Sequence, residues 1–550
     1  MNDKATIMRR MLPFLPLPAR WLRVVLVALV AGLCGAVMAA PGELDTTFGS
    51  GGRVTDTLGY DVVTVRAMAQ QPDGKLVIAA SCTLNLSQPS FCVARFKTDG
   101  SLDLAFGNSG RVRINPTNGG GFAIPNAIAI EPGGNLIVAG QCEMQATAAD
   151  FCMVRLDSFG TLDGSFGLGS WVTTSVSPAN ADSANVIVLE PGGRIILGGP
   201  CDYAAATGIN FCLARYERDG KLDRSFGSNG VTVASYVASV PGGQSDVLTA
   251  LVRLGDGKLL AGGHCETTTA SGVDMCLMRF SADGVPDTSF GNGGKAAFAV
   301  GPGNAGDYAY AMALQPDGKV LLGGSCYTQA ATGYDFCLIR VDATTATLDT
   351  TFNGTGRLTI PIGFGARDDA VRSIAVQPDG RIIAAGTCGM SNATTADDFC
   401  WARLLPEGQQ DNAIAGNTDG VGVIATAFGS GASNDRAYAM VLRPDGGIVL
   451  GGGCQRNVGG TLESACLARY QGGPFGYTAC TPDLDGDGQY LPLVDGLLLT
   501  RILLGFTDSR ALNGIALGAG ATRNNWNLIA SHLARHCGLR GLRWVELSGA

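Results

Sequence analysis

The stretch Gln315–Arg340, QPDGKVLLGGSCYTQAATGYDFCLIR, decides the fold, and variants of it occur seven times along the chain. A Pro-Asp-Gly turn opens an apolar run, KVLLGGSC. After a loop comes a second apolar run, DFCLIR, which carries a partner cysteine. Both runs are short, rich in aliphatic residues and bounded by Gly, Pro and Asp, as strands are. Their nearly unbroken apolar character means that both faces are buried. A lone hairpin cannot bury both faces, whereas one packed between copies of itself can.

The copies of the turn are QPDGK (71–75), EPGGN (131–135), EPGGR (190–194), LGDGK (254–258), QPDGK (315–319), QPDGR (377–381) and RPDGG (443–447). After the second run of each copy stands an arginine: Arg95, Arg155, Arg215, Arg279, Arg340, Arg403 and Arg469. A phrase LDxxFG then follows, with Asp45, Asp103, Asp163, Asp223, Asp287 and Asp349, and a drifted copy, QDNAIAG, supplies Asp411. Each repeat offers four strands: one before the turn, one after it, one through the FCLAR-like run and one after LDxxFG. Seven repeats of about 60 residues with four strands each predict an all-β fold, a seven-bladed β-propeller over 41–470. A β-solenoid would need shorter rungs.

Arginine and aspartate lie eight or nine residues apart across one turn. A feature shared by every blade belongs to the scaffold, so a structural ion pair is expected in each. Every Arg precedes its Asp except Arg469, and every Asp follows its Arg except Asp45. The offset matches if residues 44–57 supply the outer strand of the last blade and close the ring.

Fourteen cysteines fall into pairs 10 to 12 residues apart, each bracketing one strand–loop–strand unit. The pairs are Cys82 with Cys92, Cys142 with Cys152, Cys201 with Cys212, Cys265 with Cys276, Cys326 with Cys337, Cys388 with Cys400 and Cys454 with Cys466. Zinc would require tighter Cys clusters or several histidines, and the chain has three histidines. One disulfide per blade is the expectation. Apart from Cys34, within residues 1–39, Cys480 and Cys537 then remain and pair with one another.

Glycine, at 80 of 550 residues, and only 16% charged residues suit many tight turns between short strands. Residues 1–39 differ: Arg9, Arg10, Arg20 and Arg23 precede an apolar run from Val24 to Met38 that ends in small residues. That is a signal peptide, too short in its apolar part for a bilayer span. Its removal takes five basic and one acidic residue, so the net charge falls from −8 to −12. An acidic surface argues against nucleic acid as a partner. An exported protein without a later membrane span follows, secreted, held at the cell surface or periplasmic in a bacterium.

The phrases LDTTFGSGGRV, AMALQPDGKVLLGGS and FCLARYERDGKLDRSFG resemble the delta-60 repeat family of bacterial exported proteins over residues 43–470. The resemblance implies a propeller and carries no agreed biochemical activity.

After a linker, 471–480, a different module runs over 481–540, with a tail at 541–550. Asp483, Asp485 and Asp487 alternate, glycines permit a sharp turn, and Asp495 opens the apolar segment DGLLLTRILLG. These are the ingredients of a calcium loop, with the Gln489 carbonyl as a further ligand. A helical period places Leu497, Leu498, Ile502 and Leu503 on one face, and a second helix runs over 525–536. The module resembles a dockerin-type or EF-hand-like unit. Asp495 comes one residue late, and the second half lacks the acidic set, so one calcium ion is implied.

Motifs of catalysis are scarce: the chain holds no nucleophile elbow, HExxH, phosphate loop or CxxC. His264 stands where other copies have Ser81, Gln141, Pro200, Ser325, Thr387 or Gly453 and reads as a loop substitution. His532 and His536 read as solvent-facing, and Trp401 as packing. One periodic set of acids is more suggestive. Asp182, Asp246, Asp307, Asp369 and Asp435 lead into the first strand of five repeats, with Val63 and Ala123 in the other two. They form either a partial acidic ring at the channel mouth, for a cation or a polyhydroxylated ligand, or a set of turn caps. The expected function is a non-enzymatic scaffold for binding or adhesion, its extracellular ligand a glycan or a protein. The alternative is a carbohydrate-active hydrolase or lyase, which would show carboxylates or histidine breaking the repeat within one pocket.

Overall fold

The computed structural model describes residues 40–472 apart from short segments between strands. Within 473–550 it describes residues 484, 492–503, 506, 509–517, 526, 529 and 533. The expected signal peptide, Cys480, Cys537, His532, His536 and the tail lie outside the described residues.

Seven sheets, antiparallel but for the short parallel strand Gln244–Ser245 added to the third, follow one another around a ring, making a seven-bladed β-propeller. Blade 5 shows the pattern: Asp307–Leu314 lies innermost, then Lys319–Gln329, Gly333–Asp342 and, outermost, Arg357–Ile360. The other innermost strands are Val62–Gln70, Ala123–Ile130, Val186–Leu189, Val247–Arg253, Ala370–Val376 and Asp435–Leu442. The loop expected between the cysteines of blade 5 is shorter than the spacing suggests, because the paired strands run past both cysteines to Gln329 and from Gly333.

The core lies between blades. Leu321, Phe336, Leu338 and Phe352 of blade 5 pack against Val371, Ile382, Ala384 and Ala402 of blade 6, and a cluster of this kind fills each of the seven junctions. The third strands Ser90–Phe96 and Asp398–Leu404 are therefore buried at every residue. Trp401 is fully buried there, edge-on to Tyr470 with ring centres 5.5 Å apart.

All seven expected cysteine pairs form disulfides, with Cα atoms 5.6 to 5.9 Å apart. Cys82 is bonded to Cys92, Cys142 to Cys152, Cys201 to Cys212 and Cys265 to Cys276. Cys326 is bonded to Cys337, Cys388 to Cys400 and Cys454 to Cys466. Each bond joins the second strand of a blade to the third on a diagonal: Cys82 faces Ser90, and Cys92 faces Ala80. Seven such bonds suit an oxidising environment. Among the described residues, no helix is long and apolar enough to cross a membrane.

The ring closes as the offset of Arg and Asp requires. Residues Arg53–Asp56 pair with Glu463–Tyr470 as the outer strand of blade 7, and Arg469 meets Asp45 at 2.7 Å. The same pair recurs at 2.7 to 2.9 Å in all other blades, from Arg95–Asp103 to Arg403–Asp411. The arginine also reaches the next blade. Arg215 donates to the Ala282 carbonyl at 2.7 Å, and Arg279 to those of Ala343 and Thr344. In six blades the guanidinium lies over the phenylalanine of LDxxFG, as Arg155 does over Phe166 at 4.5 Å. The drifted copy has Ile414 instead.

Near the C-terminus, a π-helical turn, Pro492–Gly496, leads into the helix Leu497–Leu503. Leu498 and Ile502 pack with Leu484, Ala511, Trp526, Ile529 and Leu533. Leu497, expected on the same face, is 37% exposed, because at 3.6 residues per turn it lies about 100° from Leu498 and about 140° from Ile502, off the packed face.

Candidate functional site

The first strand of a blade lines the axial channel, and one residue in it is aimed by a bulge. Pairing with the second strand slips by a residue between Val65 and Ala67, Pro125 and Ala127, Leu248 and Ala250, Ala309 and Ala311, Val371 and Ser373, and Ala437 and Ala439. A bulge leaves its extra residue unpaired and re-aims the side chain. The skipped residues are Arg66, Asn126, Thr249, Tyr310, Arg372 and Tyr438, and Asn185 takes the same place just before Val186–Leu189 in blade 3. All seven line a channel of about 300 Å³. Glycine opposite the bulge lets the strands approach: a Cβ on Gly324 would come 1.7 Å from the Tyr308 carbonyl oxygen.

Above the channel, the blades cease to be equivalent. A cavity of about 610 Å³ opens over blades 5, 6 and 7, lined by Tyr308, Tyr310, Ser325, Tyr334, Asp368, Ala370, Arg372, Thr387, Asp397, Arg436 and Tyr438. Tyr308 and Tyr310 are parallel, with ring centres 6.4 Å apart, and Tyr334 tilts against Tyr308 at 5.9 Å. The Arg372 guanidinium stands 4.1 Å from the centre of the Tyr310 ring. Arg436 donates to Asp397 at 2.7 Å. Burial pushes the phenols of Tyr310 and Tyr334 upward, so both remain neutral donors near neutral pH. Blades 1 to 4 carry Thr64, Ile124, Ser183 and Val247 where Tyr308, Ala370 and Arg436 stand, so the aromatic and charged lining belongs to one side of the mouth.

The five periodic acids do not line either cavity. Asp182, Asp246, Asp307, Asp369 and Asp435 are all buried, and each carboxylate accepts backbone N–H groups from the segment that crosses between blades. Asp182 binds Val176 and Ser177, Asp246 binds Tyr236, and Asp307 binds Val300 and Gly301. Asp369 accepts from Ile362 and Gly389, and Asp435 from Phe428. This is turn-capping geometry rather than an open acidic ring. A one-residue periodic signal cannot tell a side chain turned to its own backbone from one facing a ligand.

Burial is the main cause that raises their pKa, against the amide bonds. Asp182 rises to about 7, Asp246 and Asp307 to about 6 and Asp369 to about 8, and Asp435 is raised as well. A second buried acid adds to the effect at three of them: Asp150 acts on Asp182, Asp274 on Asp307 and Asp335 on Asp369.

His264 is not in a loop. It sits on the strand Leu259–Thr268, paired with Val247 and Met275, with Nδ1 3.2 Å from the Ala309 carbonyl oxygen. Its ring meets Tyr308 edge-on at 5.1 Å, and burial pushes its pKa down. It backs the tyrosine cluster from below the cavity lining. Of the calcium-loop residues, Asp495 is described, and it is buried with Oδ1 accepting from the Leu484 N–H at 2.6 Å. Asp483, Asp485, Asp487 and Gln489 lie outside the described residues.

The architecture is thus a disulfide-linked seven-bladed propeller with an asymmetric mouth. Residues 71–106, 132–166, 191–226, 254–290 and 315–352 match the model of a family described as a domain of unknown function (DUF5122) β-propeller. A comparison with curated proteins found no match. Similar solved structures include an ulvan lyase from a new polysaccharide lyase family (12% identity, TM-score 0.41, covering 76% of this chain and 96% of that one). Another is a catalytically inactive virginiamycin B lyase from Staphylococcus aureus with quinupristin (9%, 0.40, 76% and 98%). A third is an α-L-arabinanase from Penicillium chrysogenum with arabinobiose (12%, 0.34, 76% and 98%). None of these likenesses bears on what this chain binds.

Proposed function

We propose that this is an exported binding scaffold whose ligand is a polyhydroxylated molecule, a glycan, held at the channel mouth over blades 5 to 7. One observation carries the reading. The cavity gathers Tyr308, Tyr310, Tyr334 and Tyr438 with Arg436, Asp368 and Asp397, residues that break a repeat kept regular elsewhere. Tyrosine faces stack on sugar rings while phenol, guanidinium and carboxylate groups bond hydroxyls. A glycan array with the protein lacking residues 1–39 tests it. Binding that weakens roughly two- to tenfold in Tyr334→Ala supports the site, from about 0.5–1.5 kcal/mol per aromatic contact. No glycan bound, or equal binding by the variant, rejects it.

A second reading, a carbohydrate-active hydrolase or lyase, has one point in its favour: Asp368 and Asp397 are carboxylates outside the repeat and within one cavity. Glycoside hydrolysis asks for two such groups. Incubating any bound glycan with the protein decides it: a cleaved product that Asp397→Asn no longer forms makes the protein an enzyme.

The C-terminal module is proposed to hold one calcium ion through Asp483, Asp485, Asp487, the Gln489 carbonyl and Asp495. The buried Asp495 carboxylate, bonded to Leu484 within the loop, fits an acid that closes such a site. The ion would stabilise the loop by neutralising its clustered charge. Calorimetry on the full chain is expected to give a Kd of about 10⁻⁴–10⁻³ M. Unchanged heat in Asp495→Asn would reject the assignment.

A further inference from the structure

The seven bulge residues of the channel divide into two unlike halves. Asn126, Asn185 and Thr249, on blades 2 to 4, are neutral and occupied with one another's strands. Asn126 donates to Ser183 and the Ala184 carbonyl, Asn185 to the Leu248 carbonyl and Thr249 to the Ala309 carbonyl. On blades 5, 6, 7 and 1 come Tyr310, Arg372, Tyr438 and Arg66 in succession, alternating ring and cation. Arg372 lies over Tyr310 at 4.1 Å, and Arg66 over Tyr438 at 5.0 Å.

These two guanidiniums are unlike those of the corner arginines. Each corner arginine has its aspartate within 3 Å. Among the described residues, neither Arg66 nor Arg372 has a carboxylate within 4 Å or a hydrogen-bond acceptor, and both Nε atoms are shielded from solvent without a partner. A buried donor without a partner is destabilising, and more so when charged. Stacking on tyrosine offsets part of that cost and holds the planar forks in place. Two such cations, in a chain of net charge −8, make a preformed receptor for an anion.

We propose that the charged half of the channel is an anion site, and that it receives the acidic group, carboxylate or sulfate, of the saccharide held at the mouth. The inference rests on the mouth reading for the saccharide and on the channel alone for the anion. The two cavities share Tyr310, Arg372 and Tyr438, so a ligand in the upper one can extend its acidic group into the lower. Arg66 lines only the channel, which lets the two sites be tested apart.

The test is calorimetric titration of the protein lacking residues 1–39 with oligogalacturonate, with the same oligomer fully methyl-esterified, with a sulfated oligosaccharide and with inorganic sulfate alone. A preference for one acidic oligomer tells carboxylate from sulfate. The expected result is binding of an acidic oligomer at least about tenfold tighter than of the neutral one, with the preference lost in Arg66→Gln and partly kept in Arg66→Lys, as charge-assisted bonds of about 1.5–3 kcal/mol require. Far-UV circular dichroism and the melting temperature establish that each variant is folded, and Arg372→Gln serves if Arg66→Gln is not. Equal binding of acidic and neutral oligomers, or binding indifferent to both arginines, overturns the anion site and leaves the mouth reading standing. Sulfate binding that depends on Arg66, with no saccharide bound, upholds the anion site and rejects the mouth reading.

Discussion

The outer corners and the channel mouth are built from the same residue types and use them in opposite ways. At each corner, an arginine meets one aspartate, at least one carbonyl of the next blade and, in six of seven blades, one phenylalanine face. The arrangement repeats seven times, and a property repeated in every blade holds the ring together. At the mouth, arginine, aspartate and tyrosine occur on one side only, without a fixed pattern from blade to blade, and with donors left open. Regularity marks the scaffold here, and its interruption marks the site.

The largest loss of stability is expected on removing the strand that closes the ring. Deleting residues 41–57 takes Asp45, Phe48 and the outer strand of blade 7 away together, leaving Arg469 without its carboxylate. Loss of one partner of a buried ion pair alone costs about 3–5 kcal/mol. A large fall in melting temperature is expected, followed by scanning calorimetry. Truncated protein that melts with the full one would mean that the corners are ornamental. Arg340→Ala, which removes one inner corner and its tie to the Pro406 carbonyl, is expected to cost about 3–5 kcal/mol in chemical denaturation.

Two sets of acids sharpen the same contrast through pH. Asp287 and Asp349 at the corners are held well below the usual range, Asp287 first by Ser289 and then by Lys258. For Asp349, the bonds to Lys319 and Thr351 outweigh its burial. Their stabilising contribution is present above the unfolded value of about 4 and is lost as pH falls below it. The inner caps run the other way. Asp369, near 8, and Asp182, near 7, stay protonated in the fold while the unfolded chain ionises above about pH 4. Their contribution is full below that value and is lost as pH rises through about 7 to 8. Melting temperature is therefore expected to decline from about pH 5 to about pH 8. Asp369→Asn should flatten the upper part of that decline, and Asp349→Asn should change only the acid limb. A flat profile in the parent protein would contradict the protonated caps.

The scaffold is readable in the sequence because its determinants are local and repeated. The turn (PDG in four copies, PGG or GDG in the others), the cysteine spacing and the Arg–Asp offset each recur seven times, and even ring closure follows from counting them. The mouth is not readable in the same way. Tyr308, Tyr310, Arg372 and Tyr438 lie on separate repeats or on alternate positions of one strand, and only the blade geometry brings them together. The signal that could find Tyr310, Arg372 and Tyr438 is the third residue after each periodic acid, and for Tyr308 the first. It varies between repeats, and varying positions are passed over when a repeat is being sought. The acids themselves stand out because they recur, and recurrence there means capping. His264 reads as a loop substitution because it is unlike its counterparts, and that same difference places it beside the tyrosines.

The smallest expected effect is also the one that separates the two regions most cleanly. Arg436 and Asp397 form an ion pair at 2.7 Å, as short as that of Arg340 and Asp349, but the Arg436 side chain is 49% exposed and that of Arg340 5%. Exposed pairs contribute about 0–1 kcal/mol, because water and salt compete for both charges. Arg436→Gln is therefore expected to shift stability by no more than about 1 kcal/mol, against about 3–5 kcal/mol for Arg340→Ala. Denaturant titrations of the two variants, run side by side at one salt concentration, measure the difference. Equal losses would show that Arg436 serves the scaffold as the corner arginines do, and the mouth would lose its claim to be a binding site. A near-neutral Arg436→Gln that also weakens glycan binding would place this residue's role in the ligand rather than in the fold.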